Sequence, residues 1–175
     1  MLAGRSRTWP ADKVEETAAV NHSSSPCSAP IHEVDWEKLI PAEQWAIYRC
    51  VLDKATNEGI PFALGGGLAV SIYTGRARNT KDIDLYIVPE SRGRIVELMA
   101  SCGLQDYYDK LPYDRDWIYR GNQGDVIVDA IWAMANKRAK VDEVWLTRGP
   151  VISMFDEEFP VVPPEELIWS KLYVM

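Results

Sequence analysis

The stretch Gly65–Val88, GGGLAVSIYTGRARNTKDIDLYIV, decides how the chain is read. Three glycines open it, and two aspartates one residue apart, Asp82 and Asp84, run into an apolar segment at its end. Alternate side chains of a strand share a face, so Asp82 and Asp84 point one way while Ile83 and Leu85 point into a core. Two carboxylates so placed repel each other unless a cation lies between them. Hard oxygen donors of this kind suit Mg²⁺ or Mn²⁺, with water and substrate phosphates completing the coordination shell. The glycine turn supplies the complementary half, because a bare backbone entering a helix N-terminus offers N–H groups and the positive end of the helix dipole to phosphate oxygens. Gly65, Gly66 and Gly67 are therefore the expected phosphate turn. Arg78, Thr80 and Lys81 add charged and hydroxyl donors for the same triphosphate. A solvated edge strand would account for the paired acids alone, but it leaves the glycines and the basic run as coincidences.

Working outward, Trp45, Tyr48, Val51, Leu52 and Ala55 recur at helical spacing after Pro41, and Gly59 is placed to end that helix. IPFALGGG reads as a buried strand breaking into the glycine turn, LAVSIYTG as a short helix closed near Gly75, and DIDLYIVP as a strand ending at Pro89. PESRGRIVELMASCG predicts a helix with proline at its start and Gly103 beyond its end. DWIYRG and DVIVDAIWAM predict two strands joined by the turn GNQGD. EVWLTRG, VISMFD and FPVV suggest further short strands, and PPEELIWSKLYVM a helix with proline and acids in its first turn. Residues 1–30, rich in Ser, Pro and Ala, are expected to be a flexible extension, residues 31–163 the domain, and residues 164–175 the start of a truncated C-terminal helical region.

The second strand of the hairpin offers a third carboxylate. Asp129 stands between Val128 and Ala130, where burial is costly unless the acid is paired or metal-bound. A two-metal displacement needs such a group to position or activate the attacking hydroxyl. Asp125, beside the turn, reads as an exposed turn residue and ranks below it.

Composition narrows the chemistry further. The chain has 175 residues, 47% of them hydrophobic, enough for a globular core. Only two histidines occur, His22 and His32, both upstream of these motifs, which argues against a Ser-His-Asp triad or a histidine-bound zinc. Cys27, Cys50 and Cys102, odd in number and irregular in spacing, are expected to be reduced thiols. A net charge of -7 opposes nonspecific nucleic-acid binding over the whole surface, leaving local basic groups at Arg76, Arg78 and Lys81 and at Lys137, Arg138 and Lys140. No apolar run is long enough for a membrane helix and no signal peptide opens the chain, so a soluble, cytoplasmic protein is expected. Trp117, Tyr119, Trp132 and Trp145 are expected in packing more than in base stacking. Other nucleotide motifs fail on spacing: a dinucleotide fingerprint needs glycine or alanine where Val70 stands, and a calcium loop needs glycine where Ile87 stands.

The ordered set Gly66, Gly67, Leu68, Ala69, Arg78, Thr80, Asp82, Asp84 and Asp129 resembles the nucleotidyltransferase superfamily of the DNA polymerase beta type. The nearest likeness is to small bacterial nucleotidyltransferases, including those that modify antibiotics and those that act as toxins of type IV toxin–antitoxin systems. The resemblance implies an α+β fold, a mixed sheet flanked by helices, with Asp82 and Asp84 as Mg²⁺ or Mn²⁺ ligands and Asp129 as third ligand or base. It implies attack of an acceptor hydroxyl, on an RNA end, a small molecule or a protein, at the α-phosphorus of a nucleoside triphosphate with release of pyrophosphate. A toxin–antitoxin protein partner is a further expectation, and a nonenzymatic nucleotide-binding or partner module is the alternative. Two departures stand out: Gly67 replaces the serine common in relatives, and a lysine supplied by a C-terminal helical domain has only Lys171 as its counterpart here.

Overall fold

The structure, a computed structural model, describes residues 30–172. The expected N-terminal extension, with His22 and Cys27, therefore lies outside the described residues. A short helix α1 (Trp36–Leu39), capped by the Asp35 side chain, leads into α2 (Ala42–Asn57). There follow β1 (Phe62–Leu64), α3 (Gly66–Thr74), β2 (Asp82–Ile87), a 3₁₀ turn at Pro89–Ser91, α4 (Arg92–Ser101) and β3 (Gln105–Asp106). The chain continues through β4 (Ile118–Gln123), β5 (Val126–Ile131), α5 (Glu143–Thr147), β6 (Val151–Met154), β7 (Glu157–Pro160) and α6 (Pro164–Leu172).

The first five strands form one mixed sheet in the order β1-β2-β5-β4-β3, in which only β2 and β5 run parallel. Helices flank this sheet, as the α+β reading expects. On one face Ile83, Leu85, Val128 and Ala130 are fully or almost fully buried, and Met99 of α4 packs against Gly121 of β4. The aromatic and aliphatic stripe of α2, Trp45, Tyr48, Val51, Leu52 and Ala55, is buried in the same core. On the opposite face Tyr86 stacks on Trp145 of α5, ring centroids 5.6 Å apart. Strands β6 and β7 form a separate hairpin, joined to the sheet by a parallel bridge between Leu64 and Val161.

Two expectations are corrected. EVWLTRG is the helix α5 instead of a strand, because the Asp142 carboxylate accepts from the Val144 N–H at 2.9 Å and caps it, while the adjacent Trp145 and Leu146 are both buried. Cys50 and Cys102 are a disulfide instead of free thiols. Helices α2 and α4 lie side by side, bringing the two Cα atoms to 5.9 Å, within the range a disulfide spans. Nothing in the spacing of three cysteines signals that pairing. Among the described residues no helix is long and apolar enough to cross a membrane.

Candidate active site

The parallel pairing of β2 with β5 sets Asp84 opposite Asp129 and Asp82 opposite Ile127. Register and alternation place Asp82, Asp84 and Asp129 on the face opposite the α4 side, where all three line one pocket. Each glycine of the turn lies against a particular side chain. A Cβ on Gly65 would overlap the Tyr86 ring, and one on Gly66 would overlap the Asp84 carboxylate. On Gly67 a Cβ would stand 2.7 Å from the Thr80 methyl. Gly66 also adopts φ +56°, a left-handed conformation costly to other residues, at the first position of α3. The Gly65 N–H donates to the Asp84 carbonyl at 2.9 Å, and no side chain caps α3, so its N-terminus opens beside Asp84.

Thr80 joins the turn to the acids. Its hydroxyl donates to the Asp82 carbonyl at 3.0 Å, and its own carbonyl accepts from Gln44 Nε2 at 2.7 Å. Gln44, buried on α2, also donates to the Tyr48 hydroxyl at 2.7 Å. Sequence reading missed Gln44. The signal was its place four residues before Tyr48, a polar side chain on the apolar stripe of a helix. Lys81 is turned toward Asp125, 3.2 Å away, with both groups exposed, and Arg78 is exposed outside the pocket lining. The structure therefore brings the glycines, Thr80, Asp82 and Asp84 together, sets Asp129 on the neighbouring strand of the same pocket, and leaves Arg78 and Lys81 on the surface.

The largest addition is Arg120 on β4. It pairs across the hairpin with Asp129, and its Nε and terminal nitrogen donate to the two carboxylate oxygens at 2.8 and 2.6 Å. The signal for it was also present in the sequence: once Gly124 and Asp125 form the turn, antiparallel counting sets residue 120 opposite residue 129. The Asp129 side chain is 2% exposed, a burial that needs such a partner. Burial raises the Asp129 carboxyl above the usual carboxylate range, and the Arg120 bonds and charge oppose that rise. Burial, reinforced by the charge of Asp129, pushes Asp84 up to about 7. Lys171 of α6 lines the same pocket, and its charge acts to lower both acids. Next to it, buried Ser170 donates to the Leu167 carbonyl at 2.8 Å and lines the same pocket as Tyr86 and the aspartates.

A hard divalent cation fits part of this set. Among the described residues no group of three or more His, Cys, Asp and Glu side chains is drawn together as a metal centre. Asp82 and Asp84, on one face and with Asp84 against the bare backbone of Gly66, have the oxygen chemistry for Mg²⁺ or Mn²⁺ completed by phosphate and water. Asp129 as placed belongs to Arg120.

Several solved structures share this architecture. The antibiotic-resistance factor ANT(2'')-Ia, crystallised with adenylyl-2''-tobramycin, is 21% identical, with 76% of each chain covered and a TM-score of 0.55. The lincomycin-bound lincosamide antibiotic adenylyltransferase LnuA is 14% identical over 75% of this chain and 85% of its own, with a TM-score of 0.54. A candidate nucleotidyltransferase from Thermotoga maritima is 14% identical over 78% of this chain and 87% of its own, with a TM-score of 0.55. At these identities the likeness establishes the fold. No curated protein matches significantly. Residues 51–175, which carry the glycine turn, all three aspartates and Lys171, match the model of the family described as nucleotidyl transferase AbiEii toxin, type IV TA system. The chain thus belongs to the AbiEii nucleotidyltransferase family of type IV toxin–antitoxin systems.

Proposed function

We propose that the chain transfers a nucleoside monophosphate from a nucleoside triphosphate to an acceptor hydroxyl, using Mg²⁺ or Mn²⁺ held by Asp82 and Asp84. The observation that carries this reading is the in-register placement of Asp84 and Asp129 beside the open, uncapped start of α3. When bound, the cation would supply charge neutralisation at the triphosphate oxygens. The backbone N–H groups at Gly66 and Gly67 would hold phosphate oxygens, since a helix N-terminus with no side-chain cap leaves its first donors facing outward. Thr80 would keep the turn and the acids in register through its bonds to Asp82 and Gln44.

The acceptor hydroxyl oxygen would form its bond to the α-phosphorus as the bond from that phosphorus to the β-phosphate oxygen breaks. Pyrophosphate carries away the negative charge, and the hydroxyl proton passes to Asp129. A carboxylate raised by burial is suited to taking that proton. Lys171, at the pocket wall, would offset charge on the departing phosphates, and Arg78 and Lys81 would reach the triphosphate only by moving from their present exposed positions. The acceptor would be an RNA end, a small molecule or a protein hydroxyl. The partner implied by the family is the antitoxin protein of a type IV pair.

Calorimetric titration with each nucleoside triphosphate plus Mg²⁺ or Mn²⁺ tests this reading. Binding should require metal and should be lost in Asp82→Ala and Asp84→Ala. Metal-independent binding, or binding by a folded Asp84→Ala protein as tight as wild type, overturns it.

A further inference from the structure

The strand order β2-β5-β4 places Asp129 between two rival neighbours, Asp84 on one side and Arg120 on the other. Both Asp129 oxygens are given to Arg120, at 2.8 and 2.6 Å, so the carboxylate is fully engaged on its β4 side although Asp84 stands opposite it on β2. The two partners differ in freedom. Asp129 is 2% exposed and must always have a polar partner, whereas Arg120 is 34% exposed and reaches the pocket. The Arg120 backbone is fixed independently: its N–H donates to the Tyr113 hydroxyl at 2.9 Å. Its guanidinium also has a second surface close by, the Tyr107 ring, with 5.8 Å to the centroid.

Resting on the reading of the site given above, we infer that Arg120 is a positioning residue that holds Asp129 away from Asp84 until the nucleotide's phosphates attract its guanidinium. Asp129 then joins Asp82 and Asp84 at the cation, as third ligand as well as acceptor of the hydroxyl proton, only in the nucleotide-loaded protein. A guanidinium fork binds carboxylate and phosphate oxygens with the same geometry, so the exchange replaces one pair of charge-assisted bonds by another. Metal without nucleotide meets only Asp82 and Asp84, which keeps the chain from committing its third acid before the substrate is present.

The test is Mn²⁺ affinity of the full chain without nucleotide, read by manganese electron paramagnetic resonance. Arg120→Lys keeps the charge but loses the fork, freeing one Asp129 oxygen. It should bind Mn²⁺ alone at least fivefold tighter than wild type, and the gain should vanish when Asp129→Asn is added. With a nonhydrolysable nucleoside triphosphate present, wild type and Arg120→Lys should bind Mn²⁺ within about twofold of each other. Unchanged Mn²⁺ affinity in Arg120→Lys, or a gain that survives Asp129→Asn, overturns the inference. If Arg120→Lys does not fold, Arg120→Gln decides on the same criteria. Should wild type bind Mn²⁺ with nucleotide through Asp82 and Asp84 while the Arg120 variants gain nothing, the role of Arg120 alone falls. Should no form bind Mn²⁺ even with nucleotide, the proposed function falls with it.

Discussion

Replacing Asp84 by asparagine should stabilise the metal-free protein at neutral pH while removing metal-dependent nucleotide binding. Burial and the Asp129 charge lift Asp84 from 3.8 to about 7. The folded chain therefore keeps a proton that the unfolded chain releases. The stability this group contributes is fully present below about pH 4 and is lost as pH rises through about 7. At about 1.4 kcal/mol per pH unit, the rise corresponds to a ceiling of about 4 kcal/mol. Asp84 is part-exposed where it lines the pocket, so solvent screening reduces this to roughly 1–2 kcal/mol. Asparagine carries no charge at any pH and keeps the shape that fits against Gly66. Urea unfolding in EDTA at pH 5 and pH 8 measures the difference. The gain of Asp84→Asn over wild type should be larger at pH 8, a midpoint shift of roughly 0.5–1 M at an m-value of about 2 kcal/mol/M. An equal gain at both pH values, or a loss at pH 8, would refute the reasoning that burial without a cation strains this carboxylate.

Gly66→Ala combines a left-handed φ with overlap onto the Asp84 carboxylate, and should cost about 2 kcal/mol or more in chemical denaturation. Gly67→Ala meets only the Thr80 methyl and should cost less; equal losses would argue against the contact with Asp84. Reduction of Cys50–Cys102, which are 52 residues apart, should remove about 4 kcal/mol by the loop-entropy relation. That is a fall in melting temperature of roughly 10 °C, read by calorimetry with and without reductant, and paired with alkylation mass spectrometry to count free thiols.

The elements legible in the sequence are those encoded by short-range pattern. The α2 stripe, the left-handed stops at Gly59, Gly75 and Gly103, and the alternation of Asp82 and Asp84 with Ile83 and Leu85 all appear where they were read. The β4–β5 hairpin follows from its glycine turn and in turn fixes the Arg120–Asp129 register, yet that step requires counting across strands instead of along one. Three things were hidden for different reasons. The Cys50–Cys102 bond depends on how two helices pack. The buried role of Gln44 depends on the Thr80 carbonyl in a distant segment. In EVWLTRG strand-forming residues outweighed the single capping acid, Asp142, that settles the outcome. Lys171, named in the sequence only as the counterpart of a lysine in relatives, lines the pocket because α6 packs near α3, a long-range placement that local pattern does not encode.

The parallel junction of β2 and β5 also has a kinetic meaning. Parallel strands cannot be joined by a hairpin, and here everything from α4 to β4 is strung between them. The turn-and-carboxylate unit from Gly65 to Asp84 and the hairpin carrying Arg120 and Asp129 are each short-range, whereas their union is the slow, long-range step expected of high contact order. Asp129 has its counter-charge inside its own hairpin, so pairing this acid does not depend on the β2–β5 junction. A nucleotide that requires both units binds only the closed sheet, so it would raise the stability of the whole domain by mass action and report complete folding.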